Sequence, residues 1–592
     1  MREVVMEGPN ETGDVDRVSD GSLDSNGRPA SLSLTGSWRA SAFIIGDEFS
    51  ERLSFYGIAS NLITYMTTGL HESLASAAKN TNNWSGVTLV APLFGAYFAD
   101  ALFGKYWTIA AVSAIYIAVY VVISQGLLLL TISVSISSLR PPPCMENGNC
   151  PTATQGQMAF FFVSLYLISI GTGGLKPCLE AFGADQFDER NKVERQRKVS
   201  FFNWWYFGLC MGALIAFTIL VYIQDNVSWG LGFGIPAIAM AVALVIFMAG
   251  TKFYRHKVPA GSPLTLIAKV VISAIRKRHM ELPDNPAVLY DGLDKDSPLM
   301  VKRKLSHTNC LRFLDKAAIL DHSSFDANHP RSWYLCTLTQ VEEVKLLFCI
   351  FPIWLTMLTY GIVFAQTSTL FTKQGSTMNR RINAHFEIPA ASLQSFTTIS
   401  ILMLIPIYDR AFVPLFRRLT GHQRGITMLQ RIGIGLLMSI LSMIVAAVVE
   451  KQRIDVAREH DLLDSPKSVI PISIFRLLPQ YILSGVSDVF AIVGQQEFFY
   501  DQVSDRARSF GVALYLCAMG VGSFLSSLLI TIIESITGKG SSWFNSNINR
   551  GHLDYFYWLL AVISTANFIL YSVISHSYEY KELRSMDSLL IE

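Results

Sequence analysis

The chain has 592 residues, of which 51% are hydrophobic and only 16% charged, against roughly 25% charged in soluble domains. Most of it must therefore face something other than water. A formal net charge of +2 is too small to imply nucleic acid as a partner, and no stretch outside the apolar runs combines clustered Lys or Arg with stacking aromatics.

Residues 1–36 are polar and rich in Gly, Ser and Asp. They lack the apolar core of a signal peptide and are expected to be a disordered cytosolic tail. Apolar runs follow at about 37–68, 85–103, 107–133, 157–177, 201–223 and 229–250, and again at 343–365, 392–412, 426–449, 471–496, 508–535 and 554–576. Each approaches the 20 or so residues that cross a hydrocarbon core. The expected fold is all-α and integral to the membrane, with a six-helix bundle over 37–250, a linker over 251–342, a second six-helix bundle over 343–576 and a tail over 577–592. Two bundles about a central cavity are the layout of an alternating-access transporter.

Lys and Arg set the expected orientation. The segment 185–200 and the linker are basic, as is the loop near 409–424, whereas the alternate loops 135–156 and 224–228 offer Arg140 alone. Basic loops stay in the cytosol, which places both termini there. The loops 366–390 and 450–470 carry some positive charge against this pattern. Within the linker, LIAKVVISAIRKRHMEL has apolar positions at helical spacing and a basic face, as expected of a helix along the inner membrane surface.

Eight cysteines form no C-x-x-C pattern, so no metal site is expected. Cys144 and Cys150 share the short loop RPPPCMENGNCPT on the non-cytosolic side, where a disulfide is expected. After the second run, GAYFADALFGKYWT places Asp100 at a helix end, where it is expected to serve gating and packing.

The charges inside the apolar runs carry the functional argument, because ionisable groups in a bilayer are costly. In GDEFSERLSFYG, Glu48, Glu51 and Arg52 stand at i, i+3 and i+4 on one helix face, with Asp47 beside them. Carboxylates outnumber bases there, so a basic partner from another helix is expected, and Lys176 in GTGGLKPCLEAFG is the candidate. Several carboxylates around one Arg and one Lys split their affinities for protons, which suits proton coupling. The alternative is a static ion network that only joins helices. Asp488, a lone acid in YILSGVSDVFAIVG, is a candidate ligand for a cationic group, and Glu497 in QQEFFYDQ is a candidate gate charge. Tyr56, Trp204, Tyr360 and Phe364 could supply aromatic walls.

ExxER from Glu48 to Arg52, FFNWWYFGLCMGALIA from Phe201, DNVSWGLGFGIP from Asp225, LRFLDKAAI from Leu311 and EFFYDQ from Glu497 together resemble the plant nitrate and peptide transporter family. That family belongs to the proton-coupled oligopeptide transporters of the major facilitator superfamily. The flanks of the first motif look most like its fifth subfamily. The resemblance covers about residues 36 to 580. It implies that Glu48 and Glu51 take up the driving proton, that Arg52 and Lys176 form the coupling salt bridge and bind anions, and that Asp488 faces the substrate. The nitrate-binding histidine of one branch falls at Phe364, which cannot donate that hydrogen bond. The phosphorylated threonine of the same branch matches Thr108, although Lys105 replaces the usual arginine.

These readings converge on a proton-coupled secondary transporter for a small anionic or zwitterionic solute: nitrate, a di- or tripeptide, or an organic acid such as a plant hormone or metabolite. No cofactor beyond the coupling proton is implied. The partners expected are the substrate and membrane lipid, in a monomer or homodimer of the plasma or vacuolar membrane. An enzyme is disfavoured, since no H-E-x-x-H, G-x-S-x-G or nucleotide loop stands in a suitable context. A transport-inactive sensor with the same fold is the other alternative, and loss of the proton cluster would be its mark.

Overall fold

The computed structural model describes residues 17–18, 21–101, 108–142, 144, 150–188, 191–256, 263–283, 285, 289–290, 307–320, 335–420, 426–466, 468–504, 508–538, 542–578 and 580. Within these, the side chains of 96–101, 108–116, 177–178, 180–181, 199, 263, 409, 419–420 and 509 fall outside the description.

The first bundle contains α1 (Ser37–Ala59), the short α2 (Leu62–Thr68), α3 (Leu74–Ala101), α4 (Thr108–Ser135), α5 (Gln155–Ala184), α6 (Lys192–Ile215), α7 (Val221–Asn226) and α8 (Trp229–Gly250). A π-helical turn over Ala216–Leu220 joins α6 and α7 into one span. The linker contributes α9 (Pro263–Arg276) and a 3-10 helix over Arg312–Ala318. The second bundle has α10 (Leu338–Cys349) and α11 (Phe351–Phe364) as one broken span, then α12 (Leu370–Ser376), α13 (Gln394–Ile407), α14 (Val413–Thr420), α15 (Met428–Glu459), α16 (Leu478–Asp501), α17 (Arg508–Thr537) and α18 (Leu553–His576). Two short parallel strands, β1 (Met378–Asn379) and β2 (Ile470–Ser473), close one end of it.

Ten helical segments among the described residues are long and apolar enough to cross a bilayer. Helices α1 and α3 complete the expected twelve. α1 is less apolar because it carries Asp47, Glu48, Glu51 and Arg52, and α3 because it opens on LASAAKNTNNWSG. The second span begins well before the expected residue 85, since its polar first turns face other helices rather than lipid: Asn82 donates to Ser526 Oγ and Trp84 Nε1 to the Leu165 carbonyl.

Local chemistry starts several spans. Asn191 accepts from the backbone N–H groups of Val193 and Glu194 at the head of α6, and Thr337–Gln340 and Thr427–Gln430 form capping boxes on α10 and α15. In the first bundle α1 packs on α6 and α8, α4 on α5 and α8, and α3 on α5; in the second, α15 packs on α16 and α18, and α11 on α17 and α18. The bundles meet chiefly where α3 lies along α17 and α6 approaches α13. The α3–α17 seam needs glycine, because a Cβ on Gly520 would stand 2.8 Å from the Gly86 carbonyl oxygen.

The bonds described between bundles gather at the end that carries the Cys144–Cys150 disulfide. Lys79 pairs with Glu534 at 2.8 Å, Lys373 donates to Thr67 at 3.0 Å, and Gln394 donates to the Ser60 carbonyl at 3.0 Å. Two charges of the anomalous loops are explained here. Lys373 lies half-buried at this seam, and Arg453 is wholly buried against Glu450, Asn549 and Thr377.

The tail ends differently from the expectation of disorder to residue 36. Its described residues 21–36 are bonded to the opposite end of the first bundle: Leu23 and His256 exchange backbone hydrogen bonds, and Gly36 N–H donates to the Phe253 carbonyl. The Arg255 guanidinium occupies the place of a Cβ on Gly36, whose φ is +68°, and pairs with Glu194 at 2.7 Å. Spacing cannot reveal such a tie, because Thr35 and Arg255 are 220 positions apart. The linker helix α9 is packed on one side. It buries Val270 and Ala274 against the 3-10 helix and α10, while Ile272 and Ile275 remain exposed.

Candidate functional site

Helix α1 brings three carboxylates into the first bundle, all almost fully buried: Asp47, Glu48 and Glu51. Their roles separate by partner. Asp47 accepts from the Tyr120 hydroxyl on α4, and Glu48 accepts from Arg52 Nε at 2.6 Å one turn away. Glu51 is the loosest of the three. Arg52 Nε stands 3.4 Å from its Oε2 and Lys176 Nζ 3.8 Å from its Oε1, and neither oxygen accepts a hydrogen bond.

Lys176 on α5 is held from both sides. Its ammonium sits 3.8 Å over the centre of the Phe55 ring while facing Glu51, so an aromatic face supplies part of what water would. Helix α6 can come close to α1 here because Gly212 faces the Phe49 carbonyl and Arg52 Cβ. Tyr56 continues this surface, edge-on to Phe55 and to Phe217 with centroids 5.2 Å away in each case.

The second bundle presents Asp488 from α16. Tyr360 on α11 donates to its Oδ1 at 2.5 Å, and the same hydroxyl stands 3.4 Å from Ser487 Oγ, which in turn donates to the Gly435 carbonyl. Tyr56 lies within electrostatic reach of both Arg52 and Asp488, and Tyr206 within reach of Tyr56 and Asp488. Tyr56 and Tyr206 thus lie within electrostatic reach of Asp488 of the second bundle, and sequence spacing does not single out Tyr206 or Tyr120.

The remaining sequence-derived positions divide. Phe364 lies one turn beyond Tyr360 on α11, half-buried against the core of the second bundle. Trp204 is 55% exposed and packs edge-on to the exposed Phe207. Glu497 pairs with Arg431 of α15 at 3.2 Å, so this bond ties α16 to α15 within one bundle and does not bridge the two. Asp100 and Thr108 lie on α3 and α4, with side chains outside the described residues, and Lys105 is outside them altogether. Cys144 and Cys150 are joined as a disulfide.

The sequence profile described as "PTR2: POT family" matches residues 106–545. The chain belongs to the POT family of membrane transporters. Among curated relatives it is similar to Protein NRT1/PTR FAMILY 8.3 of Arabidopsis thaliana, 46% identical over 96% of each chain, and to Protein NRT1/PTR FAMILY 5.1 of the same plant, 46% identical over 95% of this chain and 94% of that one. Its eighth- and fifth-group relatives are thus equally similar at this level. Among solved structures it resembles an auto-inhibited POT family peptide transporter, with a TM-score of 0.64 at 21% identity over 92% of this chain and 98% of that one. It also resembles the POT family transporter PepTSo, with a TM-score of 0.62 at 21% identity over 91% and 98%. These neighbours establish the fold of a POT-family transporter, and the family is one of transporters rather than enzymes.

Proposed function

We propose that this POT-family chain is a proton-driven symporter for a small solute bearing a carboxylate or another anionic group. The solute would lie between Arg52 and Lys176 on the first bundle and Asp488 and Tyr360 on the second. The observation that carries this reading is the contact of Glu51 with Lys176 at 3.8 Å, in which both buried carboxylate oxygens lack hydrogen bonds. A buried carboxylate facing an ammonium at that separation is stabilised by charge alone, and protonation removes the charge.

In this scheme a proton on Glu51 releases Lys176 and Arg52 to hold the solute's anionic group, and loss of the proton restores the ion pair and expels the solute. Asp488 favours a cationic group at the solute's other end. Its donor Tyr360 holds the carboxylate in place, so a zwitterion fits as well as a simple organic anion. Phe364 offers no hydrogen-bond donor, which favours organic solutes over nitrate held by a ring nitrogen at this position. The basic segments lie at the end opposite the disulfide, which supports an orientation with both termini in the cytosol. The plasma and vacuolar membranes both suit this orientation, as do a monomer and a homodimer.

The test is current recording in oocytes at acidic and neutral external pH, with nitrate, dipeptides and organic acid hormones offered in turn. An acid-stimulated current for one class, absent in Glu51→Gln, supports the reading. Equal currents in both proteins would refute the role of Glu51. Silence across the panel from surface-expressed protein would favour a sensor.

A further inference from the structure

We propose that Cys310 and Cys349 form a peroxide-oxidised thiol pair whose disulfide fastens the linker to the base of the seventh span. Their sulfurs stand 2.9 Å apart without being bonded, and both are free thiols. Closing to the disulfide length of about 2.05 Å takes a movement under about 1 Å. The other free cysteines described, Cys210, Cys336 and Cys517, are buried, whereas Cys310 is exposed and Cys349 half-exposed.

The pair is held together by its surroundings rather than by proximity in sequence, since 39 positions separate the two cysteines. Leu314, Ala317 and Ala318 of the 3-10 helix pack with Val341 and Val344 of α10. Lys345 on α10 reaches across to Asp315 at 2.7 Å and to the Thr308 carbonyl at 2.8 Å, while Thr308 Oγ1 donates to Glu342 at 2.7 Å. These buried polar ties fix the segment 307–320 on α10 and so hold Cys310 over Cys349.

The chemistry balances with hydrogen peroxide as the oxidant. The Cys310 thiolate attacks one peroxide oxygen, breaking the O–O bond to give a sulfenic acid and releasing hydroxide, which takes up the thiol proton as water. The Cys349 thiolate then attacks that sulfur, the S–O bond breaks and a second water leaves. Two thiols lose two electrons and two protons, and one peroxide becomes two waters. A dithiol reductant reverses the step through a mixed disulfide. Cys349 is the last residue of α10, and only Ile350 separates it from α11, which carries Tyr360. The bond therefore restrains the break in the span that supports one wall of the site. As a reversible sensor this rests on the cytosolic placement of the linker proposed above, because a reducing compartment keeps such pairs as thiols at rest.

The test uses the purified full-length chain. After brief peroxide treatment and thiol blocking, peptide mapping should recover a Cys310–Cys349 cross-linked peptide that dithiothreitol removes and that Cys310→Ser and Cys349→Ser lack. Amide hydrogen exchange in residues 307–320 should slow by about tenfold in the oxidised wild type and stay unchanged in Cys310→Ser. Recovery of both thiols as blocked monomers would overturn the pair, and a cross-link without slower exchange would overturn the fastening. Neither readout depends on transport. In intact cells, a membrane-impermeant maleimide found on the Cys310 peptide would instead place the linker outside and overturn the sensor role together with the proposed orientation, whereas labelling only after permeabilisation supports both.

Discussion

Two buried ion groups in this molecule use the same residue types to different ends. At the disulfide end of the second bundle, Arg453 is wholly buried and saturated. It donates twice to Glu450, at 2.7 and 2.8 Å, and also to Asn549, Thr377 and the Ile548 carbonyl. In the first bundle, Lys176 stands 3.8 Å from Glu51, whose two oxygens accept no hydrogen bond, although Glu48 and Arg52 beside them are joined at 2.6 Å. A saturated pair locks one arrangement. A pair held by charge alone can part when a proton arrives, at little cost in hydrogen bonds. Neighbouring geometry, more than the presence of buried charge, distinguishes a brace from a switch.

The largest expected effect breaks the brace. Arg453→Ala leaves Glu450 buried and unpaired, which costs about 3–5 kcal/mol, so purified protein should unfold at markedly lower temperature and accumulate poorly. Glu51→Gln should do the reverse, with uptake lost and the unfolding midpoint little changed. If Glu51→Gln destabilises the protein as much as Arg453→Ala, the distinction between the two groups fails.

Tyr360→Phe sharpens the comparison on the acidic side. It removes the hydroxyl that holds Asp488 and should weaken substrate affinity by about tenfold in uptake titrations while sparing the proton dependence proposed for Glu51. An altered pH profile would instead make Asp488 a second proton site.

A smaller effect concerns His256, outside the membrane spans. Burial pushes its imidazole from the usual 6.5 down to about 4. The folded protein thus holds the neutral ring where the unfolded chain takes a proton. Its contribution to stability is present above pH 6.5 and is lost as pH falls towards 4. Thermal unfolding followed across that window should decline in the wild type and decline less in His256→Gln. The smallest expected effect is Lys79→Ala. That pair with Glu534 is about a quarter to a third exposed, so its loss should cost under about 1 kcal/mol. It should register, if anywhere, as easier opening at the disulfide end, read by cross-linking between α3 and α17.

Much of the candidate site was legible because it lies on one helix face. The positions of Glu48, Glu51 and Arg52 follow from 3.6-residue periodicity, and Lys176 was the basic residue that such a cluster required. Tyr120 and Tyr206 were not legible, since a tyrosine in an apolar run is ordinarily core and its hydroxyl partner lies on another helix. The bond from Arg431 to Glu497 was not legible for the same reason, since 66 positions separate the two residues.

By itself the sequence determined that this is a two-bundle membrane transporter, because bilayer thickness dictates the length of each apolar run and the cost of burying charge makes each interruption conspicuous. The tertiary structure alone decided which carboxylate is bonded and which is left loose, how residues 21–36 are fastened, and that Cys310 meets Cys349. Those outcomes depend on packing between segments distant in the chain, and periodicity within a segment carries no information about which helix will lie opposite.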